Sequence, residues 1–342
     1  MKRYIASLVV FILGCTISGE WVFLLAYWTK NPVANINDMG SVHGSPDERS
    51  FLERWNLQGF PKIWLMANLF GFFGYFGIGG WLQWYFYFRR RETPSEWKCQ
   101  PNRWITPELE RHEIKWGSIT LVITNFFSAV LSAHVINGGW SMIYYQLDEY
   151  GWTWFFLQWP VIFLLQDYAI YWNHRLFHVP FFYKNFHKLH HSYKVPTAYS
   201  VTAIHPVECV FFQTLYVLPV FTIPCHWAVY CTLLGYIYYH GILDHSGIRM
   251  KSMWPWQPET TFHDNHHQYF HVNFGFNFYL WDVIHGTMRR KDRVYREEIW
   301  SQKGLSLAEV SEEVLKEELA ERESENRADK AELTDFLKSK LA

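Results

Sequence analysis

Residues 174–191 read HRLFHVPFFYKNFHKLHH, and five of these 18 residues are histidines. The whole chain has 17 histidines in 342 residues, so its average density would place about one in a stretch of this length. The stretch holds two groups of histidines, and a third follows at 263–267, where the sequence reads HDNHH. Isolated histidines are common in folded proteins, but three groups with repeated spacing predict a site that is built from imidazoles.

The spacing within each group suits a helix. Residues three and four apart lie on one helical face, about 5–6 Å apart, so each group can direct its imidazoles toward one point. Adjacent histidines, such as His190 and His191, diverge by about 100° around a helix and suit two ions that lie side by side. Eight imidazoles without a thiolate exceed the needs of one tetrahedral zinc ion, and they fit iron, copper or zinc. The groups are His174/His178, His187/His190/His191 and His263/His266/His267.

The composition indicates a membrane protein rather than a soluble enzyme. Aromatic residues make up 20% of the chain and charged residues 18%, which is below the average of about 25% for charged residues in soluble domains. The high aromatic content and a formal net charge of −1 argue against a disordered chain and against a nucleic-acid partner. Five cysteines without a CxxC pair predict neither a disulfide framework nor a cysteine zinc site.

Several apolar stretches approach the length of about 20 residues that a membrane-spanning helix needs. Pro224 separates the last two stretches and predicts a helical hairpin that enters and leaves on one side. A cleaved signal peptide is the alternative for residues 1–28, because Lys2 and Arg3 precede an apolar run. The stretches are 4–28, 60–88, 119–136, 152–172, 207–223 and 226–243.

Basic residues set the expected orientation. Lys2 and Arg3 precede the first stretch, arginines occupy 89–91, and the loop 137–151 has neither Lys nor Arg. By the positive-inside rule, both termini, residues 89–118 and all the histidine groups lie on the cytoplasmic side. We therefore expect an all-α integral membrane protein with four transmembrane helices, a helical hairpin and a cytoplasmic, helical, histidine-rich catalytic cap.

The chain divides into three parts by composition. N-terminal membrane helices and a cytoplasmic linker occupy 1–118, and the histidine-rich catalytic membrane domain occupies 119–304. The charged tail, 305–342, is rich in Glu and Lys. We expect this tail to be an exposed helix or a frayed appendage that takes no part in the chemistry.

Distinctive residues flank the histidines. The flanked motifs are Asp167-x3-Tyr171-x2-His174-Arg175-x2-His178, Lys188-Leu-His190-His191 followed by Lys194-Val-Pro196-Thr197, His205-Pro206-x-Glu208, Asp244-His245-Ser-Gly247, His266-His267-x2-Phe270-x2-Asn273-Phe-Gly275 and Trp281-Asp282. In this order they resemble the membrane fatty acid hydroxylase and sterol desaturase superfamily. The resemblance extends over residues 155–290.

The resemblance implies a non-haem centre of two iron ions at the cytoplasmic ends of helices, working with O2 in the endoplasmic reticulum membrane. It also implies electrons from a separate donor, commonly cytochrome b5 with its reductase, because this sequence has no His-Pro-Gly-Gly haem-binding box. For His205 and His240, ligation and a structural role both stay open. The implied iron ligands are His174, His178, His187, His190, His191, His245, His263, His266 and His267.

Asp167 lies seven residues before His174, on the same helical face and near the end of an apolar stretch. We expect its carboxylate to accept a hydrogen bond from a ligand imidazole, and the alternatives are an ion pair with Arg175 or a position at the membrane interface. Asp167 and Arg175 are thus the candidates for supporting the ligands. The remaining histidines stand alone in the sequence and are interpreted as structural: His43, His112, His134, His226, His271 and His285.

The predicted function is O2-dependent hydroxylation or desaturation of a lipid, with a sterol favoured. The Lys-Val-Pro-Thr stretch and the His-Pro box resemble sterol C-5 desaturases, whereas Asp244 and His245 belong to an element closer to methylsterol oxidases and sterol 25-hydroxylases. A fatty acid, sphingolipid or alkylglycerol hydroxylase is the alternative within the superfamily. Other classes are a histidine-rich membrane metal carrier and a bis-histidine haem protein, for which His134 and His240 are nearest to a suitable depth.

Overall fold

The structure is a computed structural model that describes residues 50–326, and most of this range is helical. The first apolar stretch, His43 and the end of the charged tail lie outside the described residues. The helices are α1 (Phe51–Arg54), α2 (Phe60–Leu82), α3 (Pro94–Trp97), α4 (Pro107–Ile136), α5 (Gly151–Phe177), α6 (Pro180–Phe182), α7 (Lys188–His191), α8 (Pro206–Thr222), α9 (Trp227–Asp244), α10 (Thr260–Tyr269), α11 (Leu280–His285) and α12 (Glu312–Glu323).

Short irregular helices and strands complete the described chain. π-helical turns follow α2 at Gln83–Phe88 and α6 at Tyr183–His187, and a 3-10 turn lies at Ser200–Thr202. The strands are β1 (Ile143–Tyr144), β2 (Cys225–His226), β3 (Arg293–Val294) and β4 (Leu305–Ser306). β1 pairs with β2 in parallel, and β3 pairs with β4 antiparallel.

Two helical stretches within residues 50–326 are long and apolar enough to cross a membrane, Phe60–Phe88 and Pro107–Ile136. They contain the predicted stretches 60–88 and 119–136. The predicted stretch 152–172 is helical inside α5, but α5 does not combine the same length and apolarity. The apolar α8 ends at Thr222 and α9 begins at Trp227, so the helical structure is interrupted around Pro224, where the sequence predicts the turn of a hairpin.

One compact unit comprises, among the described residues, 50–75, 121–166 and 212–239. Side chains from α4, α5, α8 and α9 pack its apolar core, and each fully buried aliphatic residue there contributes about 1.5–3 kcal/mol. The pairing of β1 with β2 fixes the loop that precedes α5. The core residues are Leu131, Val135, Ile162, Val220, Cys225, Val229, Tyr230, Leu233 and Leu234.

The other compact unit comprises, among the described residues, 76–120, 167–211 and 240–326, and it contains all the histidine groups. Buried polar side chains hold its loops. The carboxylate of Glu113 accepts hydrogen bonds from the backbone N–H and the hydroxyl of Thr197, which fixes the loop after α7. The hydroxyl of Tyr87 donates to the carbonyl of Ser246 at 2.7 Å, one residue beyond His245.

The charged tail is packed against this unit as far as residue 326, which contradicts the expectation of an exposed appendage. Leu307 and Leu315 are buried in a small core with Val294. In α12, Arg322 pairs with Glu318 at 2.7 Å, and both side chains are buried. The sequence pattern was misleading because the residues that α12 buries are mostly charged, so composition alone predicts a solvated helix.

The tail also holds the end of the third histidine helix, α10. The carboxylate of Glu325 accepts a hydrogen bond from the Tyr269 hydroxyl at 2.5 Å and pairs with Arg289 at 2.6 Å. The Gln268 amide donates to the backbone carbonyl of Glu321 at 3.1 Å. Because Gln268 and Tyr269 directly follow His267, the tail is part of the support for the histidines.

Candidate metal centre

Nine imidazoles from separate parts of the chain converge in two groups inside the compact unit that includes residues 167–211 and 240–326. They come from the end of α5, the π-helical turn and α7, the residue after α9, and α10. In each group the nearest ring nitrogens all lie within 4.8 Å of one another, and every side chain is at most 6% exposed. The first group is His174, His178, His187, His191 and His266, and the second is His190, His245, His263 and His267. These are the nine residues that the sequence nominates as ligands.

Adjacent histidines are divided between the groups. His190 and His191 differ in group, as do His266 and His267. Neighbouring helical residues point about 100° apart, so a pair of adjacent histidines serves two points rather than one. The two short helices α7 and α10 thus each supply both groups.

The outer nitrogens of several imidazoles donate to fixed acceptors. Nδ1 of His174 donates to the carbonyl of Phe274 at 2.8 Å, and Nδ1 of His266 donates to the carbonyl of Val272 at 2.6 Å. Since a neutral imidazole carries one N–H, each of these contacts leaves Nε2 as a bare acceptor that faces the group. The same outer contacts fix the orientation of the rings.

One imidazole in each group bonds to a buried carboxylate. Nδ1 of His187, in the first group, lies 2.7 Å from Glu208, and Nδ1 of His245, in the second group, lies 2.5 Å from Asp244. Glu208 and Asp244 are both within the motifs read from the sequence, yet sequence reasoning assigned them no role. A hydrogen bond to a carboxylate raises the basicity of the inner nitrogen and strengthens it as a metal ligand.

His271 is a supporting residue that the sequence analysis classed as merely structural. Its Nε2 donates to the carbonyl of Glu297 at 2.8 Å, so its Nδ1 is an acceptor, and the Nδ1–H of His178 donates a hydrogen bond to it at 3.1 Å. This chain of contacts turns the bare Nε2 of His178 toward the first group. The only signal for His271 in the sequence is its place between Phe270 and Asn273, in the motif that begins at His266.

The inner nitrogens approach one another as metal ligands do. Nε2 of His187 lies 2.9 Å from Nε2 of His178, and Nε2 of His263 lies 3.0 Å from Nε2 of His245. Because His178 directs its Nδ1 proton outward to His271, its Nε2 faces Nε2 of His187 with a free lone pair that a metal ion can bind. Nε2 of His266 is buried without a hydrogen-bond partner. A cation within each group would satisfy all these nitrogens, so the residues fit bound metal ions.

Burial keeps most of these imidazoles neutral, which is the protonation state that binds metals. Removal from water, reinforced by the neighbouring imidazoles, holds the pKa values of seven of them well below the ordinary value for histidine. These seven are His174, His178, His190, His191, His263, His266 and His267.

The segment after α10 returns to the imidazoles through a tight reversal. Phe270 and Asn273 adopt positive φ angles of 67° and 55°, which non-glycine residues rarely do. Asn273 holds its conformation through its side-chain amide, which donates to Phe262, and its side-chain oxygen, which accepts from Arg289. The reversal brings the carbonyls of residues 272 and 274 to the imidazoles described above.

Asp282 fixes the same segment from the other side. Its carboxylate accepts from the backbone N–H of Phe274 at 2.8 Å and of Gly275 at 2.7 Å, and from the Thr287 hydroxyl at 2.6 Å. A side chain at position 275 would lie 2.8 Å from this carboxylate, so glycine is required there. Asp282 therefore positions the carbonyl that orients His174.

Asp167 and Arg175 do not contact the imidazoles, which corrects the expectation for both. The Asp167 carboxylate accepts from the backbone and amide of Asn277 and from the indole of Trp281 at 2.8 Å. Arg175 donates to Gln302 and lies over the Trp172 ring. The helical face was predicted correctly, but in the fold residues 277–281 lie against Asp167 where an imidazole was expected.

His205 and His240 lie outside both groups. Nδ1 of His205 accepts from the backbone of Val207 at 3.1 Å, as in a turn that starts a helix, and Nδ1 of His240 lies 3.8 Å from Asp244. The other described histidines that were interpreted as structural also lie outside the groups: His112, His134, His226, His271 and His285.

Comparison with known proteins agrees with the motifs. A family model described as fatty acid hydroxylase matches residues 159–287. The Delta(7)-sterol 5(6)-desaturase of Gibberella zeae is 31% identical over 229 residues, which cover 66% of this chain and 68% of the relative. The enzymes of the same name from Candida dubliniensis and Candida albicans are 31% and 30% identical, over 78% of this chain and 70% and 69% of theirs. No solved structure gives a significant match. The chain therefore belongs to the fatty acid hydroxylase superfamily, in its sterol desaturase branch.

Proposed function

We propose that this protein uses O2 and two electrons to desaturate a lipid, with a sterol as the favoured substrate, at two iron ions held by the nine imidazoles. Membership of the family makes the protein an oxidative lipid-modifying enzyme. The choice of a sterol and of desaturation is supported by the names of its relatives, which are sterol 5(6)-desaturases. The observation that carries the proposal is the division of nine buried imidazoles into two groups.

The reaction removes two hydrogens from neighbouring carbons. An alkane unit, O2, two electrons and two protons give an alkene and two molecules of water, whereas hydroxylation by the same reagents gives an alcohol and one water. Iron supplies the oxidising power for such reactions when it is bound, because amino-acid side chains cannot oxidise an unactivated C–H bond. Imidazoles are suitable ligands because they lack the thiolate groups that an oxidant would consume.

The protein's own residues orient and shield the centre. Carbonyls of the reversed segment, Glu208 and Asp244 hold imidazole rings by their outer nitrogens, so the donor set is organised before an ion binds. The nine side chains are almost fully buried. This burial excludes bulk water, which protects a reactive oxidant from side reactions.

The proposed arrangement in the membrane follows from the apolar stretches and the basic residues. Four spans and a hairpin would place the histidine groups on the cytoplasmic side of the endoplasmic reticulum membrane, within residues 119–304. The two apolar helices Phe60–Phe88 and Pro107–Ile136 support a membrane location, and the arginines at 89–91 support the orientation. A lipid could then enter from the bilayer while a separate donor, such as cytochrome b5 with its reductase, delivers electrons from the cytosol.

The test is turnover by the protein in reconstituted membranes that contain iron, cytochrome b5, its reductase and NADH. We expect O2-dependent conversion of a sterol with a saturated 5,6 bond, no conversion of a fatty acid, and two iron ions per chain by elemental analysis. His190→Ala and His266→Ala, one from each group, should abolish turnover and lower the iron content. His112→Ala is the matched control, because His112 is exposed and lies outside both groups.

Two results would contradict the proposal. Retention of full turnover in both histidine variants would show that the groups are not the reaction centre. Conversion of fatty acids with sterols left unchanged would keep the iron chemistry but remove the sterol assignment.

A further inference from the structure

One aromatic ring covers both histidine groups. The Phe276 ring lies 4.9 Å from the His174 ring and 5.5 Å from the His263 ring, measured between centroids. His174 belongs to the first group and His263 to the second, and their own rings are 6.2 Å apart. Phe276 thus lies where the two groups adjoin.

Phe276 differs from the other rings against the imidazoles in its exposure. Among residues 50–326, the phenylalanine and tyrosine rings that contact the nine imidazoles include four that are buried, whereas Phe276 is only partly buried. A partly exposed ring can contact a bound lipid with one face while its other face lies on the imidazoles. The four buried rings are Phe177, Tyr183, Phe270 and Phe274.

The backbone on both sides of this ring is held by buried carboxylates. Asp282 accepts from the N–H groups of Phe274 and Gly275. Asp167 accepts from the N–H and the amide of Asn277 at 3.1 and 3.0 Å. The backbone on both sides of Phe276 is therefore held in place, which keeps the ring beside the imidazoles.

We propose that Phe276 is a specificity-determining residue, whose ring sets how closely the reacting carbons of the lipid approach the two histidine groups. This inference rests on the proposed function. Both desaturation and hydroxylation begin with loss of one hydrogen, and only desaturation then removes a second hydrogen from the adjacent carbon. The distance and tilt of the lipid decide between these outcomes, because a misplacement of about 1 Å can change a rate by about 100-fold.

The experiment replaces the ring and measures both products. In Phe276→Leu, the smaller side chain leaves more space beside the imidazoles, and we expect the ratio of alkene to alcohol to fall by about 10- to 100-fold. In Phe276→Trp, the larger ring takes up space that the lipid would occupy, so KM for the lipid should rise by about tenfold while the iron content stays unchanged. Products are separated by mass spectrometry, and iron is measured on the same samples.

Phe278→Leu is the matched control, because Phe278 is also partly buried in the same segment but contacts Tyr279 and Trp281 rather than an imidazole. An unchanged product ratio and KM in both Phe276 variants would overturn the inference. Loss of iron in Phe276→Leu would also overturn it, since the ring would then support the imidazoles instead of the lipid. If the protein without any substitution converts no lipid, the proposed function itself fails. That result is distinguishable, because it is obtained before any Phe276 variant is measured.

Discussion

Glu325 provides the sharpest test of the packed tail. Its carboxylate and Arg289 form an ion pair at 2.6 Å in which both side chains are only 7% exposed, and the Tyr269 hydroxyl donates to the same oxygen. Glu325→Ala removes one partner and leaves the guanidinium buried. Removing one member of a buried pair costs about 3–5 kcal/mol, because the other charge loses both its partner and its water.

The lower end of this range is the better expectation here. After the substitution, the guanidinium of Arg289 still lies 3.8 Å from the centre of the Tyr269 ring, which retains a cation–π interaction. A loss of about 3 kcal/mol corresponds to roughly a 100-fold increase in the unfolded or opened fraction. Because Tyr269 ends α10, we expect the opening to release iron as well as to unfold the tail.

Stability is measured by denaturant unfolding in detergent, together with the rate of iron transfer to a chelator. Glu323→Ala is the matched control, since Glu323 is exposed at the end of α12, two residues before Glu325, and its loss should change stability by less than about 0.5 kcal/mol. The double variant Glu325→Leu with Arg289→Met should recover much of the loss, because no buried charge remains. Equal stability of Glu325→Ala and Glu323→Ala would refute the packed tail.

Two further outcomes are expected. Glu208→Gln and Asp244→Asn each weaken the partner of one imidazole, so iron affinity should fall by about 10- to 100-fold in chelator competition; unchanged affinity in both would show that these carboxylates do not support ligands. The side-chain amine of Lys98 is buried without a hydrogen-bond partner, and burial lowers its pKa to about 8. In the unfolded chain the pKa of Lys98 is about 10.4, so between pH 8 and pH 10 the unfolded state binds more protons than the folded state. The buried amine therefore lowers the unfolding free energy most below pH 8, and this loss disappears as the pH rises toward 10. Lys98→Met should thus raise the unfolding free energy at pH 7 by about 3 kcal/mol and lose that advantage near pH 10; an equal advantage at both pH values would contradict the reasoning.

The histidine spacing predicted the site well because it is a local property. Residues three and four apart share a helical face in any fold, and adjacent residues diverge, so spacing alone predicts that His190 and His191 point to different groups, as they do. Apolar stretches are local as well, and they located the long helices. The break at Pro224 follows from the chemistry of proline, which cannot continue the hydrogen bonding of a helix.

The supporting residues could not be predicted in the same way, because their partners are distant in the chain. His271 reaches His178 only after the reversal at Phe270 and Asn273, and left-handed backbone at these residues is not encoded by a periodic pattern. Asp167 had the expected face, but its partners lie 110 or more residues away. The tail was misread because several of its buried residues form ion pairs, as Glu318 does with Arg322, and composition cannot distinguish these from solvated charges.

The charges around the imidazoles link metal binding to folding. Neutral imidazoles would leave the charge of the two proposed iron ions uncompensated, and burial makes such charge costly unless anions lie nearby. The structure supplies one carboxylate to an imidazole of each group, Glu208 to His187 and Asp244 to His245. Within the two groups, the Nε2 atoms of neighbouring imidazoles approach one another to 2.9–3.3 Å. Under the proposed function, metal binding is therefore linked to folding, because the fold brings the nine imidazoles and their two carboxylates together, and free energy of binding contributes to the stability of the folded unit.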